Sequence, residues 1–231
     1  MDDSDLPPLN RYTFFKETTL ALWYGLAKVL LGGFLFTLVS LPALFLILEG
    51  GGAILGILLA AITIGPAWLA LCAVVAAMIL REIYYSPFDF FRSFGHFYLR
   101  GVVLGGIMAF PLAAAAGTIP LLALTPVPTF AWIGIGADLA VFFFLSSLYL
   151  YVCPQIVIYD VGVRLALRNG LVLETHYLAN AIGLLAAAIV LVFVAYKISL
   201  FLLIAFPACW LVFVINNFRL VLRIESNRTG A

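Results

Sequence analysis

The sequence predicts an all-α fold: a polytopic membrane helix bundle of about six transmembrane helices with two cytoplasmic interfacial amphipathic helices. Hydrophobic residues make up 65% of the 231 residues and charged residues only 10%, whereas about 25% of an average soluble domain is charged. Long charge-free runs recur along the chain, and about 20 apolar residues suffice to cross a bilayer as a helix. The composition excludes a soluble enzyme, a nucleic-acid-binding protein and a disordered chain, and it makes the lipid bilayer an expected partner.

The apolar runs predict a single membrane domain covering residues 1–231. A Glu-Gly-Gly-Gly stretch at residues 49–52 and a Thr-Pro-Val-Pro-Thr turn at residues 125–129 separate neighbouring spans, because Gly and Pro punctuate helices. The predicted spans are 24–48, 53–80, 101–124, 130–153, 179–196 and 198–222. Residues 1–9 are expected to form a disordered tail. Interfacial segments are expected at 10–22, 86–100 and 155–177.

The basic residues predict the orientation of the chain. Eleven of the twelve Lys and Arg residues fall on the side of the two long polar connections, and only Lys197 falls on the other. Cytoplasmic loops of membrane proteins carry an excess of Lys and Arg. We therefore expect both termini and both polar connections to be cytoplasmic.

The first polar connection, residues 86–100, reads SPFDFFRSFGHFYLR. At 100° per residue, one arc of this segment is polar and contains Asp89, Arg92, Ser93, His96 and Arg100. Aromatic residues fill the rest of the surface, as in a helix that lies at a membrane interface. The helix could serve only as an anchor. Alternatively, Arg92, His96 and Arg100 could bind a cytoplasmic partner or an anionic lipid headgroup.

The second polar connection carries Asp160, Arg164 and Arg168 at every fourth residue and ends near His176. The spacing predicts an Asp160–Arg164 pair, which contributes about 0.2–0.5 kcal/mol at an exposed site. Arg164, Arg168 and His176 are further candidates for binding a partner or lipid. Because both connections carry an Asp and arginines and end in a His close before Tyr-Leu, we also consider a tandem duplication with both copies in the same orientation.

Within the predicted spans, Asp138 is the one acidic side chain. A charge inside a membrane is costly and points to an ion or proton pathway by default. The alternative is a structural role near the outer interface, with Asp138 hydrated or in contact with Lys197. Small and amide side chains are expected to join helices. These are Gly101, Gly105 and Gly106, which permit close packing, and Asn216 and Asn217, which can form hydrogen bonds between helices.

The sequence shows no motif that predicts catalysis. Its two histidines have no HExxH context, and it contains no GxSxG elbow and no Walker A loop. The three cysteines, Cys72, Cys153 and Cys209, lie in apolar runs without CxxC spacing. We therefore expect no catalytic residue, no metal site and no cofactor, and a protein that is not an enzyme.

Two stretches resemble the YesL-like family of bacterial multi-pass membrane proteins of unknown function. They are the Thr-Ile-Gly-Pro-Ala motif at residues 63–67 and the Asp-Phe-Phe-Arg-Ser-Phe motif at residues 89–94. The segment from residue 151 to Asn169 is similar to the family's second cytoplasmic element, and the resemblance covers residues 35–222. One departure is that Leu41-Pro42 lies well before Thr63, whereas in typical members a Leu-Pro pair runs almost directly into the first motif.

The resemblance implies a location in the bacterial inner membrane and a role beside carbohydrate-import ABC transporters. The leading hypothesis is a non-enzymatic membrane subunit or accessory factor whose cytoplasmic face docks another membrane protein complex. The alternative is a small solute transporter or channel with Asp138 in its pathway. A third interpretation is lipid handling under the amphipathic helix, beside Arg92 and Arg100.

Overall fold

The computed structural model is a helical bundle and describes residues 13–49, 53–81, 87–123, 128–198 and 200–229. These residues form seven α-helices, one short 3-10 helix and no strand. The α-helices are α1 (Phe14–Tyr24), α2 (Leu26–Leu48), α3 (Ala53–Arg81), α4 (Pro87–Thr118), α5 (Thr129–Tyr159), α6 (Val163–Ile198) and α7 (Leu200–Thr229). Each helix from α2 to α7 contains a stretch long and apolar enough to cross a bilayer, which confirms the predicted all-α polytopic bundle.

One end of the bundle contains polar contacts between helices distant in sequence, and we call it the polar end. It contains α1, the start of α4, the turn between α5 and α6, the first half of α6 and the C-terminal part of α7. Three pairs of side chains bridge these elements: Asp160 with His96, Thr18 with Asn216, and Tyr177 with Glu225. The opposite end contains the C-terminus of α2 and the 3-10 helix Ile119–Ala123.

The first two helices follow the predicted division of the N-terminal region. The interfacial segment expected at 10–22 and the span expected at 24–48 correspond to α1 and α2, which meet at Gly25. A Cβ atom at Gly25 would lie 2.5 Å from the Met78 sulfur, so a larger residue at this junction would require the Met78 side chain to move. The tail expected at residues 1–9 and the turn residues 50–52 and 125–127 lie outside the described residues.

In the first polar connection, the predicted boundary at residue 100 is absent. Residues 87–118 form the single helix α4, because no proline lies near Arg100 and the following Gly101 is packed against α3. At 1.5 Å per residue, these 32 residues extend about 48 Å, more than the hydrocarbon core of about 30 Å. One end of α4 therefore has to extend beyond the hydrocarbon, which leaves room for an interfacial first part.

The second polar connection is divided between two helices. Its first residues complete α5, which ends at Tyr159 and is followed by Asp160 in the left-handed conformation (φ 52°, ψ 32°). From Val163 onward the connection belongs to α6. α6 has one non-helical residue, Tyr177 (φ −122°, ψ 27°). This break lies where the sequence predicted the change from interfacial segment to span.

The centre of the bundle is formed by α3 and α7. α3 packs against α2, α4, α5 and α7, and the fully buried side chains include Leu69, Leu71, Leu211, Ile215 and Phe218. The closest approach is between α3 and α4. A Cβ atom would lie 2.2 Å from the Gly101 carbonyl oxygen if added at Gly65, and 2.2 Å from the Ala61 carbonyl oxygen if added at Gly105.

The glycine pattern of α4 accounts for this approach. Gly101 and Gly105 lie one helical turn apart and face α3, which confirms the predicted close packing for these two residues. A Cβ atom added at Gly106 would meet no atom of the described residues within 4 Å, so the predicted role of Gly106 in packing is wrong.

Candidate functional site

Asp160 is the centre of a charged cluster at the polar end. Its Oδ1 atom accepts hydrogen bonds from Arg100 and from His96, and the His96 Nε2 atom lies 3.3 Å away. The hydrogen bonds from Arg100 and then His96 lower the pKa of Asp160 below its ordinary value. Arg100 also lies 5.8 Å from the centre of the Phe97 ring. The hydrogen bonds of the cluster thus connect α4 to the turn between α5 and α6.

The expected pair between Asp160 and Arg164 does not form. Both ion pairs of Asp160 within the described part of the chain are with α4 residues, His96 and Arg100. Asp160 lies outside the helix with a positive φ, so the i,i+4 geometry of a helix does not apply to it. Arg164 consequently remains exposed.

The other basic candidates share the polar end without contacting one another. Arg92 on α4 and Arg164, Arg168 and His176 on α6 are all exposed. Among the described side chains, no ion pair involves any of these four residues. The structure therefore places His96 and Arg100 in a shared cluster and leaves the other four as separate surface cations or titratable groups.

Asp138, the predicted intramembrane candidate, lies half-buried on α5. Lys197 is 5.7 Å from the centre of the Phe193 ring and 5.8 Å from that of Tyr196. Asp138 and Lys197, both described, are not within ion-pair distance of each other. The proposed contact between these two residues is therefore wrong.

A buried polar cluster between α5, α6 and α7 was not predicted as a site. Glu174 on α6 is 2% exposed, and its Oε1 atom is in hydrogen-bond contact with the Ser147 hydroxyl on α5. Its Oε2 atom is buried without a hydrogen-bond partner among the described residues. Ala166, Gly170 and Glu174 are all buried and lie four residues apart. This row of small residues was the sequence signal that Glu174 belongs to a packed face.

The cluster continues on both sides of the break in α6. The Tyr151 hydroxyl donates to the Tyr177 carbonyl oxygen (3.2 Å), and the Tyr177 hydroxyl donates to Glu225 Oε1 (2.7 Å). Asn180 Nδ2 donates to Asn217 Oδ1 (2.7 Å). The predicted hydrogen bonds of the α7 asparagines between helices are confirmed by this pair and by Asn216 Nδ2 donating to Thr18 Oγ1 (3.2 Å).

An apolar cavity of about 300 Å³ lies inside the bundle. Its walls come from α3, α4, α5 and α7, with Leu185 contributed by α6. Tyr149 on this wall donates its hydroxyl proton to the Leu104 carbonyl oxygen (2.7 Å). Asp138 is not among the lining residues. The apolar lining suits a hydrocarbon chain better than a hydrated solute.

Comparison of the chain with protein-family models, curated proteins and solved structures finds no match. The site must therefore be interpreted from its geometry. Among the described residues, no group of three His, Cys, Asp or Glu side chains could hold a metal ion. Three features of the geometry remain. They are the ion-pair cluster of Asp160 at the polar end, four exposed basic or titratable side chains at the same end, and the buried carboxyl group of Glu174.

Proposed function

We propose that the chain is a non-enzymatic integral membrane subunit or accessory factor that docks a larger membrane complex at its polar end. The observation that carries the proposal is the exposure of Arg92 on α4 and of Arg164 and Arg168 on α6, with α4 bonded to the turn before α6 through Arg100 and Asp160. A fixed spacing of exposed cations favours recognition of an acidic surface, because complementary charge guides and orients association.

The polar end faces the cytoplasm in this proposal. Its excess of Lys and Arg supports that orientation through the positive-inside rule. The resemblance to the YesL-like family supports the inner membrane of a bacterium and a partner that belongs to a carbohydrate-import ABC system. The long apolar faces of α2, α4 and α6 meet lipid or the membrane part of that partner.

The test is affinity purification of the full chain from its native membrane in mild detergent, with quantification of companions by mass spectrometry. We expect a partner in fixed ratio with the wild type. The triple variant Arg92→Gln/Arg164→Gln/Arg168→Gln should lose that partner, because the exposed cations are gone while the Asp160 cluster remains. The matched control Lys197→Gln removes an exposed cation from the opposite end and should retain the partner.

Either of two results would contradict the proposal. One is a solitary wild-type chain, and the other is equal retention of the partner by the triple variant. A solitary chain that moves solute in pure liposomes, with flux abolished by Asp138→Asn, would support the transporter alternative instead.

A further inference from the structure

Glu174 is the one acidic side chain of the described residues that is buried. Unlike Asp160, it has no ion pair with any described residue. An unpaired carboxylate in a water-poor interior is so costly that such a group usually takes up a proton. Glu174 therefore differs from the carboxylate of a surface salt bridge, which a neighbouring cation and water keep ionised.

The hydrogen bonds of Ser147 favour the same protonation state. The Ser147 hydroxyl is in contact with two acceptors, the Phe144 carbonyl oxygen at 2.8 Å and Glu174 Oε1. A hydroxyl carries only one proton. Both contacts are full hydrogen bonds when Ser147 donates to Phe144 and a protonated Glu174 donates to the Ser147 oxygen.

No cation of the described residues lies within ion-pair distance of Glu174. The helices packed against α6 carry these titratable and charged groups: Asp138, Tyr149, Tyr151, Cys153 and Tyr159 on α5, with Asp160 directly after it; Asp89, Arg92, His96, Tyr98 and Arg100 on α4; and Cys209, Arg219, Arg223 and Glu225 on α7. On α6 itself, Arg164, Arg168 and His176 are exposed and Tyr177 contacts Glu225. Arg100 and His96 are bonded to Asp160, and Arg219 donates to Asn216 Oδ1.

We propose that Glu174 is a reversible proton-binding site, and that its protonation holds the first half of α6, residues 163–176, against α5. The break at Tyr177 separates this half from the rest of α6, so it can move without displacing residues 178–198. Loss of the proton leaves a buried carboxylate at Glu174. Water then reaches this carboxylate when the contact between α5 and the first half of α6 loosens.

Infrared difference spectroscopy of the full chain in liposomes tests the protonation. The wild type should show the carbonyl band of a protonated carboxyl group at neutral pH, and the band should fade as the pH is raised. Glu174→Gln should lose the band at neutral pH, whereas the matched control Glu225→Gln should keep it. A wild-type spectrum identical to that of Glu174→Gln, or a band that no pH removes, would overturn the proposal.

Two further measurements keep the proposal testable if Glu174→Gln folds poorly. Ser147→Ala retains the Glu174 carboxyl group but removes the hydroxyl oxygen that accepts its hydrogen bond. The carbonyl band should therefore persist at a shifted frequency, and an unshifted band would count against the assignment. At alkaline pH, hydrogen–deuterium exchange across residues 163–176 should be faster in the wild type than in Glu174→Gln, because the amide side chain of the variant stays uncharged. Equal exchange in the two proteins would refute the coupling to α6.

Discussion

Asp160 and Arg100 lie 60 residues apart in the chain, yet their side chains are hydrogen-bonded at the polar end. Asp160 ends α5 and Arg100 lies in the first half of α4. His96, one helical turn before Arg100, bonds the same carboxylate oxygen. The contact joins the α3–α4 pair of helices to the α5–α6 pair at the end where both carry exposed basic residues.

The Asp160 cluster predicts a decrease in stability at acidic pH. Hydrogen bonds from Arg100 and His96 lower the pKa of Asp160 in the folded chain. A carboxyl whose pKa is lower when folded stabilises the fold above its unfolded pKa, and this contribution is lost as the pH falls through the folded pKa. The wild type should therefore lose stability below the ordinary aspartate range, about pH 4, when unfolding is measured in micelles.

Asp160→Asn isolates this effect from other acid-induced changes. The variant keeps an oxygen acceptor but cannot be protonated in this range, so its stability difference from the wild type should shrink as the pH falls. Because Asp160 is exposed, we expect a small effect. A difference between the two proteins that stays constant down to the most acidic pH would contradict the prediction.

The backbone at Asp160 predicts a second effect that does not depend on charge. Its positive φ is tolerated by Asp, Asn and Gly but is strained for other residues. Asp160→Ala should therefore unfold at a lower temperature than Asp160→Asn in the same detergent. Both variants lose the charge, so their difference reports the backbone strain of Ala together with the oxygen acceptor that Asn retains. Equal melting temperatures would show that the turn adjusts without cost.

The sequence predicted the fold class because apolar length alone determines which helices can span a bilayer. It did not predict that α4 continues through Arg100, since residues near 100 are compatible with either a boundary or a continuous helix. Packing of Gly101 on α3 favours the continuous helix. At Tyr177 the chain changes from polar to apolar residues, and this change predicted the end of an interfacial segment. The non-helical residue of α6 lies at the same position.

The contacts of the candidate sites could not be predicted in the same way. The cluster at Asp160 joins two helices distant in sequence, whereas the periodic spacing suggested a local pair with Arg164. Glu174 was not among the candidate residues identified from the sequence. Its burial depends on α5, which covers the face formed by Ala166, Gly170 and Glu174, and only the alignment of two small residues with Glu174 indicated that face.

The hydroxyl of Tyr149 predicts a further contribution to packing between α4 and α5. It donates a hydrogen bond of 2.7 Å to the Leu104 carbonyl oxygen beside the apolar cavity. Tyr149→Phe should reduce the free energy of unfolding in mixed micelles by about 0.6 kcal/mol, the average for such bonds between membrane helices. Tyr98→Phe, at an exposed position on α4, serves as the control and should have almost no effect. A larger loss in the control would contradict this explanation.

The contact between α3 and α4 makes the sharpest prediction, because Gly105 and Gly106 are adjacent but differ in surroundings. In Gly105→Ala the new methyl group would lie 2.2 Å from the Ala61 carbonyl oxygen, a backbone atom that cannot rotate away. Overpacking of this kind costs about 1–3 kcal/mol, so the free energy of unfolding should fall by that amount. Gly106→Ala places its methyl group in open space and should be neutral or slightly stabilising, since alanine favours helix more than glycine does. Unfolding titrations of both variants in the same mixed micelles provide the comparison. If both substitutions had the same effect, the Gly101–Gly105 row would not set the distance between α3 and α4.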